Sequence, residues 1–445
     1  MKNLRISTVA VSAAAVLALT ACSGGVKASE STGPVVLNYW SEDDSGPPLA
    51  TDTALVDEFN KTHTDIQIKF RSVSNESFFT VMRNAFTANN PPEIFQHEGD
   101  NNLFQFVRED QVLPITDWWG KPGNGDRFTP GAPAASVTYD GQVYGVPLRI
   151  DTTNEIYYNR VILKDAGIDP TAFTTWGDFL GAFAQLKAQG ITPIAFGNSE
   201  GWPGSQWFYD FLAKTAGADK VNQLVARNCG YAWTDPDVVA AAQLYTDLSD
   251  QGYFSAGKSS DDSNTAQSTF LSGKAAFFGF GSWFIPSISE APNPGDYGMV
   301  AFPAVAGGRG SATDGLINAG GLAVSKAADT PAKLAAALTF LDWVSQPKQQ
   351  EEYVKIGAIS ATSEANDPAL QDPLTSQVIA EQIKPSTGSF PFIEHVTPKA
   401  VGEDAIWQGS VAVLTGQATA QSWMQSVEDA AAAEHPTVTL KENCS

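Results

Sequence analysis

The chain has 445 residues, with 49 acidic against 27 basic side chains. That length is more than one ordinary domain uses and is comfortable for two. A net charge of −22 argues against nucleic acid as a partner, because phosphate binding needs a basic field. Four scattered histidines, with no Cys-x-x-Cys or His-x-x-x-His spacing, argue against a zinc site, and no cofactor is called for.

Lys2 and Arg5 precede an apolar run from Ile6 to Leu19 that is too short to span a bilayer comfortably. Leu19-Thr20-Ala21-Cys22 resembles the lipobox of bacterial lipoproteins. The resemblance implies that residues 1–21 are a signal peptide and that Cys22 is lipidated, anchoring an extracytoplasmic protein to the cell membrane. Residues 22–34 are small and polar and read as a flexible tether. Cys229 and Cys444 then remain. In an exported chain an even pair invites one disulfide; two unpaired thiols are the alternative.

Val35 to Trp40 reads as a buried strand, followed by a helix with Ala54, Leu55, Val56 and Phe59 on one face and a second strand through Ile66, Ile68 and Phe70. A helix from Glu76 to Ala88 puts Phe78, Phe79, Met82, Ala85 and Phe86 on one side, stops at Asn89-Asn90-Pro91-Pro92, and leads into a short strand at Glu93 to Gln96. This β-α-β-α-β alternation predicts a parallel sheet covered by helices. A second such pattern starts after Tyr144-Gly145-Val146-Pro147. Thr175 and Asp178 form a capping-box start to a helix with Trp176, Phe179, Leu180, Phe183 and Leu186, and Ile191 to Phe196 is the next strand. Further helices are expected at Pro331–Val344, Pro398–Leu414 and Thr419–Ala433. The fold class is α/β, in two lobes.

Several fragments, in order, resemble the family-1 extracellular solute-binding proteins, the group that contains the maltose-binding protein. They are Asn89-Asn90-Pro91-Pro92-Glu93-Ile94; Tyr144-Gly145-Val146-Pro147 with Ile156-Tyr157-Tyr158-Asn159; Thr174-Thr175-Trp176-Gly177-Asp178-Phe179; and Phe270 to Ala276 running into Gly281-Ser282-Trp283. The resemblance implies a two-lobed periplasmic-binding-protein-like fold with the ligand in the cleft between lobes. Lobe 1 would hold 35–150 plus 302–355, and lobe 2 would hold 151–301 plus 356–441. The chain would cross near Arg149 to Asn154, return after Phe302-Pro303, and cross again near Ile356 to Thr362. The implied function is capture of a sugar by hinge closure and delivery to the permease subunits of an ABC importer, by a monomer that is not an enzyme.

A sugar pocket needs flat rings against pyranose faces and carboxylates or amides for hydroxyls. Loops that directly follow strands supply them: Trp40 and Glu42 with Asp43 and Asp44; Glu98 and Asp100 after His97; Asp151 at the first crossing; Asn198, Glu200, Trp202 and Trp207; then Trp283, Phe392 and His395, with Glu394 and Trp407 nearby. By resemblance, Glu98, Asp100, Asp151, Trp202 and Trp283 match the family's ligand-contacting loops. The bland reading is a solvated charge or cap for each carboxylate and core packing for each tryptophan. Many family members place an aromatic after the paired glycines where Leu322 follows Gly320-Gly321.

Two other classes share some of these features. Gly197-Asn198-Ser199-Glu200-Gly201 fits the G-x-S-x-G elbow of hydrolases, with His395 or His435 as partner, but Trp202-Pro203-Gly204 is expected to separate it from its helix. A two-lobed receptor for a polyamine, a metal ion or a peptide would also use carboxylates beside tryptophan.

Overall fold

The computed structural model describes residues 33–384 and 389–437, with Glu442 and Cys444. Cys22, the expected signal segment and nearly all of the tether lie outside the described residues.

The first sheet is built from β1 (Val35–Ser41), β2 (Ile66–Ser72) and β3 (Ile94–His97). In β1 the side chains of Leu37, Tyr39 and Ser41 are buried while Val36 and Asn38 are exposed, the period of two that a strand with one covered face requires. β1 pairs in parallel with both β2 and β3, because the helices between them, Gly46–Thr62 and Asn75–Thr87, make the crossovers. These helices bury Leu55, Val56 and Phe59, and Phe78, Met82 and Phe86; of the other residues expected on those faces, Ala54 is exposed and Phe79 and Ala85 are half-buried at the margin.

After a small hairpin, β4 (Thr138–Tyr139) with β5 (Gln142–Val143), the long strand β6 (Gly145–Thr153) leads directly into β7 (Glu155–Asn159). The second sheet takes β7 together with β8 (Thr192–Ile194), β9 (Ala275–Gly279) and β10 (Tyr297–Ala301) in the order β10-β7-β9-β8. β11 (Gly315–Val324), β12 (Ile359–Ser360) and β13 (Ser389–Phe390) complete the first sheet, ordered β12-β6-β11-β3-β1-β2 with β13 against β11. The fold is therefore mixed α/β with two sheets, as the alternation of elements predicted.

The two passages between sheets run side by side. β6 gives way to β7 at Asn154, and the Phe302 amide just past β10 donates to the Asn154 carbonyl at 2.7 Å. β11 then pairs antiparallel with β6 from Leu316 opposite Thr153. The later change of lobe falls after the boundary expected at 355/356. Ile359 and Ser360 still pair with Ile150 and Arg149, whereas Gln377 reaches the second sheet by donating to the Met299 carbonyl at 3.1 Å.

Local signals hold where they depend on neighbouring residues alone. Thr175 and Asp178 cap the helix Trp176–Ala188 reciprocally, and Pro331–Val344 is a helix over the expected span. The expected helix Pro398–Leu414 is instead interrupted by a π-helical stretch, Gly402–Trp407. The reason is tertiary. Gly402 is seated so that a Cβ would stand 2.6 Å from the Glu394 Cα, and Ser410 Oγ donates to the carbonyls of Gly201 and Trp407. Among the described residues no helix is long and apolar enough to cross a membrane. The Cα atoms of Cys229 and Cys444 lie 5.4 Å apart, within the span a disulfide requires.

Candidate functional site

The parallel strands β1 and β3 end at the same edge of the first sheet, which is where open α/β sheets bind ligands. Glu42 and Asp43, and Glu98 to Asp100, follow those ends, and β6 and β11 bring Arg149, Asp151 and Asn318 beside them. Arg149 is the hub. Its guanidinium donates to both Asp43 oxygens at 3.0 and 3.1 Å and to Glu42 Oε1 at 2.9 Å, and its Nε stands 3.6 Å from Asp151 Oδ2. Gln96 fixes Glu42 from behind: its Nε2 donates to Glu42 Oε1 and its Oε1 accepts the Glu42 amide, both at 3.0 Å. The other Glu42 oxygen is buried with no hydrogen-bond partner.

Across the cleft, His395 Nε2 meets Glu98 Oε2 at 2.9 Å, and Arg83 of the first lobe lies 3.5 Å from Glu403 of the second. Burial opposes charge on Glu98, but the His395 hydrogen bond and charge outweigh it and hold the carboxyl below its usual range. Burial also works against charge on His395, yet Glu98 raises its pKa above the ordinary value. Asp151 is pushed up to about 6, by burial first, with Arg149 pulling down and Glu98 and Asp43 pushing up. Burial likewise lifts Asp100 to about 6 against the pull of His395. Glu42 is raised by burial and by the neighbouring Glu98 charge. The cluster is thus a set of carboxylates short of compensating charge.

The second lobe supplies rings. Trp202 lies 5.3 Å from Phe280, Phe280 5.5 Å from Trp283, Trp283 5.9 Å from Phe392, and Phe392 5.0 Å from His395, centroid to centroid. Trp202 and Trp283 are half-buried. This aromatic series ends at the histidine that touches Glu98. Gly281 is required for it: a Cβ there would sit 2.1 Å from the Trp283 ring, so only glycine lets the indole fold back onto its own turn.

The structure brings Glu42, Glu98, Asp100, Asp151, Trp202, Trp283, Phe392 and His395 into this region and gives four expected contributors other surroundings. Trp40 points to the face of β1 opposite Tyr39 and packs under Arg71, whose guanidinium is 4.4 Å from the ring centroid. Asn198 is fully buried, donating to Ser410 Oγ at 2.9 Å and accepting the Gly204 amide at 2.6 Å. Glu200 caps the helix Ser263–Leu271 by accepting the Ser263 amide at 2.8 Å. Trp207 is 2% exposed, in the core against Phe254 and Phe302.

Arg149, Asn318 and Phe280 were missed. Arg149 had a signal, since it precedes Asp151 by two on one strand and shares its face. Asn318 and Phe280 had none, because their roles come from strand pairing and ring packing. Leu322 on β11 stands opposite Gln96 of β3 and is 2% exposed. With Tyr39, Leu148 and Tyr353 it lines a small cavity beneath Arg149, so its side chain belongs to the first lobe's interior.

The elbow-like segment also differs from expectation. The helix Trp202–Thr215 starts directly after Gly201, since Pro203 falls in its first turn, where no N–H is needed. Among the described residues no hydrogen bond joins Ser199 to a histidine, and His395 is engaged by Glu98.

Two α/β lobes linked by paired crossing strands, with a polar and aromatic cleft between them, form the architecture of a two-lobed solute-binding protein. Residues 43–351 match the model of the bacterial extracellular solute-binding proteins, and the chain belongs to that family, whose members bind solutes. A relative from Pyrococcus horikoshii, an uncharacterised extracellular-binding protein of an ABC transporter, is 27% identical over 60% of each chain. The match thus spans about three fifths of that relative's length. A multiple sugar-binding protein of Streptococcus mutans is 23% identical, over 82% of this chain and 84% of its own. A structure solved in work on xylan utilisation by Caldanaerobius polysaccharolyticus superposes with a TM-score of 0.81 at 23% identity, covering 89% of this chain and 99% of that one; this supports the two-lobed fold.

Proposed function

We propose that this chain is the substrate-binding component of an ABC-type sugar importer, closing its lobes over an oligosaccharide and presenting the closed form to the permease subunits. The observation that carries the reading is the cleft itself, where the ring series of the second lobe faces the carboxylates of the first. Trp202, Trp283 and Phe392 would cover pyranose faces. Glu42, Glu98, Asp100, Asp151 and His395 would bond hydroxyls, while Trp40, Asn198, Glu200 and Trp207 support the walls. The sugar-binding relative and the family agree with it. The receptor acts as a monomer without metal or cofactor.

Calorimetric titration with mono- and oligosaccharides tests the reading. Trp283→Ala and Gly281→Ala, the second displacing the indole without deleting it, should each weaken binding by tenfold or more while the melting temperature changes little. A lost carboxylate–hydroxyl bond in Asp151→Ala is worth about 1.5–3 kcal/mol, again tenfold or more. Unchanged affinity in all three variants would remove the sugar from this cleft.

The finer details of location belong to the same proposal. Cys22 would carry the lipid anchor that holds the protein at the membrane, and Cys229 would be bonded to Cys444, contributing about 2–4 kcal/mol. Mass spectrometry of unreduced, proteolysed protein from membranes checks both. It should find an acylated peptide beginning at Cys22 and a linked Cys229–Cys444 pair. A free, unmodified Cys22 or two free thiols would refute the corresponding half.

A further inference from the structure

The cleft is built for charge as well as for hydroxyls. Glu42, Asp43, Glu98, Asp100 and Asp151 outnumber Arg149 and His395, and the two cations are already engaged. Arg149 is shared by Glu42, Asp43 and Asp151, and His395 is held by Glu98. A second observation is independent of that count. Glu42 is 2% exposed and its Oε2 has no hydrogen-bond partner; Asn318, 3% exposed and opposite Asp151 across the strands, has an unpartnered Oδ1. Both are acceptors left open on residues that build the cluster. Arg149 has no donor to spare, since its two terminal nitrogens and Nε all face carboxylates; the open nitrogen of the cluster is His395 Nδ1, whose Nε2 is held by Glu98.

Lobe closure would strip water from this set of like charges. A neutral hydroxyl bonds to a carboxylate without cancelling its charge. A protonated amine does both, presenting up to three N–H donors to acceptors. We propose that the preferred ligand is a sugar carrying a protonated amine, seated against the carboxylate cluster while its pyranose faces lie on Trp202 and Trp283. This rests on the cleft being the sugar site. Burial of Asp100 and Asp151, which lifts both to about 6, is consistent with groups lacking a full complement of cations.

The test is calorimetry at pH 7 with glucosamine and its short oligomers, their N-acetylated counterparts, neutral gluco-oligosaccharides, and spermidine. The amine-bearing sugars should bind at least tenfold more tightly than the N-acetylated ones, and their affinity alone should fall from low to high salt. Asp100→Asn and Asp151→Asn preserve size and one acceptor oxygen while removing the charge. Each should reduce affinity about tenfold more for the amino sugar than for its N-acetylated form, with circular dichroism confirming the fold. Equal or tighter binding of the N-acetylated or neutral sugars overturns this proposal and leaves the sugar reading standing. A response to spermidine alone overturns both.

Discussion

Arg149→Met is expected to destabilise the protein by about 3–5 kcal/mol, the cost of leaving buried carboxylates without their partner. The Arg149 side chain is 23% exposed, Glu42 is 1% and Asp43 13%, so water replaces little of what the guanidinium supplies. Methionine keeps much of the stem volume, which makes the loss electrostatic rather than a cavity. The pH dependence gives the sign. Burial, first among the causes, already holds Glu42 and Asp151 above the ordinary carboxylate range, and Arg149 is the group that pulls both down. Without it they rise further, so the folded variant binds protons that the unfolded chain has released. Its stability must therefore fall as pH rises through the raised values and recover below them. Thermal melts should show a large gap from wild type at pH 7.5 that narrows toward pH 5. A gap that is absent, or constant with pH, would mean that the cluster is solvated enough to manage without the arginine.

A loss of similar size is expected for Lys214→Met. Lys214 is fully buried in the helix Trp202–Thr215. Its Nζ donates to Asn154 Oδ1 at 2.7 Å, to the Ala312 carbonyl at 3.2 Å and to the Asp314 carbonyl. It thereby ties together the two crossings, at the junction of β6 and β7 and just before β11. Asp210, one helical turn away, accepts from Thr153 Oγ1 at 3.0 Å and is lifted to about 7 by burial, partly offset by the lysine's charge. Methionine fills the space but leaves a carboxylate and several acceptors stranded, about 3–5 kcal/mol. Denaturant unfolding should show a lower midpoint with little change in slope. Adding Asp210→Asn should restore part of the loss, because the second change removes the stranded charge. Independent, additive effects of the two substitutions would show that the pair is not coupled.

Much of the fold was legible because its signals are local. The faces of Leu55, Val56 and Phe59 and of Phe78, Met82 and Phe86 follow from helical spacing. The cap at Thr175 follows from two side chains three residues apart. The site was legible in kind, as carboxylates and tryptophans after strands, but only in part by residue. Trp207 and Trp283 look alike in sequence, each an aromatic in a glycine-containing stretch. One is core because its helix turns it toward Phe302, and the other is half-buried because Gly281 lets it fold back. Glu200 and Glu98 are likewise both acidic residues just past a strand; the first meets a helix N-terminus and the second a histidine from the other lobe. Gly307-Gly308-Arg309-Gly310, a run that sequence alone would leave as a loop, seats on the end of the helix carrying Lys214. The Arg309 and Gly310 amides donate to the carbonyls of Thr215 and Lys214, and a Cβ at Gly310 would stand 1.8 Å from the Ala213 carbonyl oxygen.

By itself the sequence determined the α/β class, the alternation that makes β1, β2 and β3 parallel, the helix limits set by caps and prolines, and the acidic character of the chain. These depend on periodicity, composition and contacts between near neighbours, which any reader of the chain can evaluate. Only the tertiary structure decided that Arg149 would serve three carboxylates, that His395 would reach Glu98 across the lobes, and that Lys214 would pin the crossings. It also decided that the helix after Pro398 would take a π stretch at Gly402. Each of those outcomes joins residues far apart in the chain. Their energies depend on burial and distance, neither of which exists until the lobes have folded.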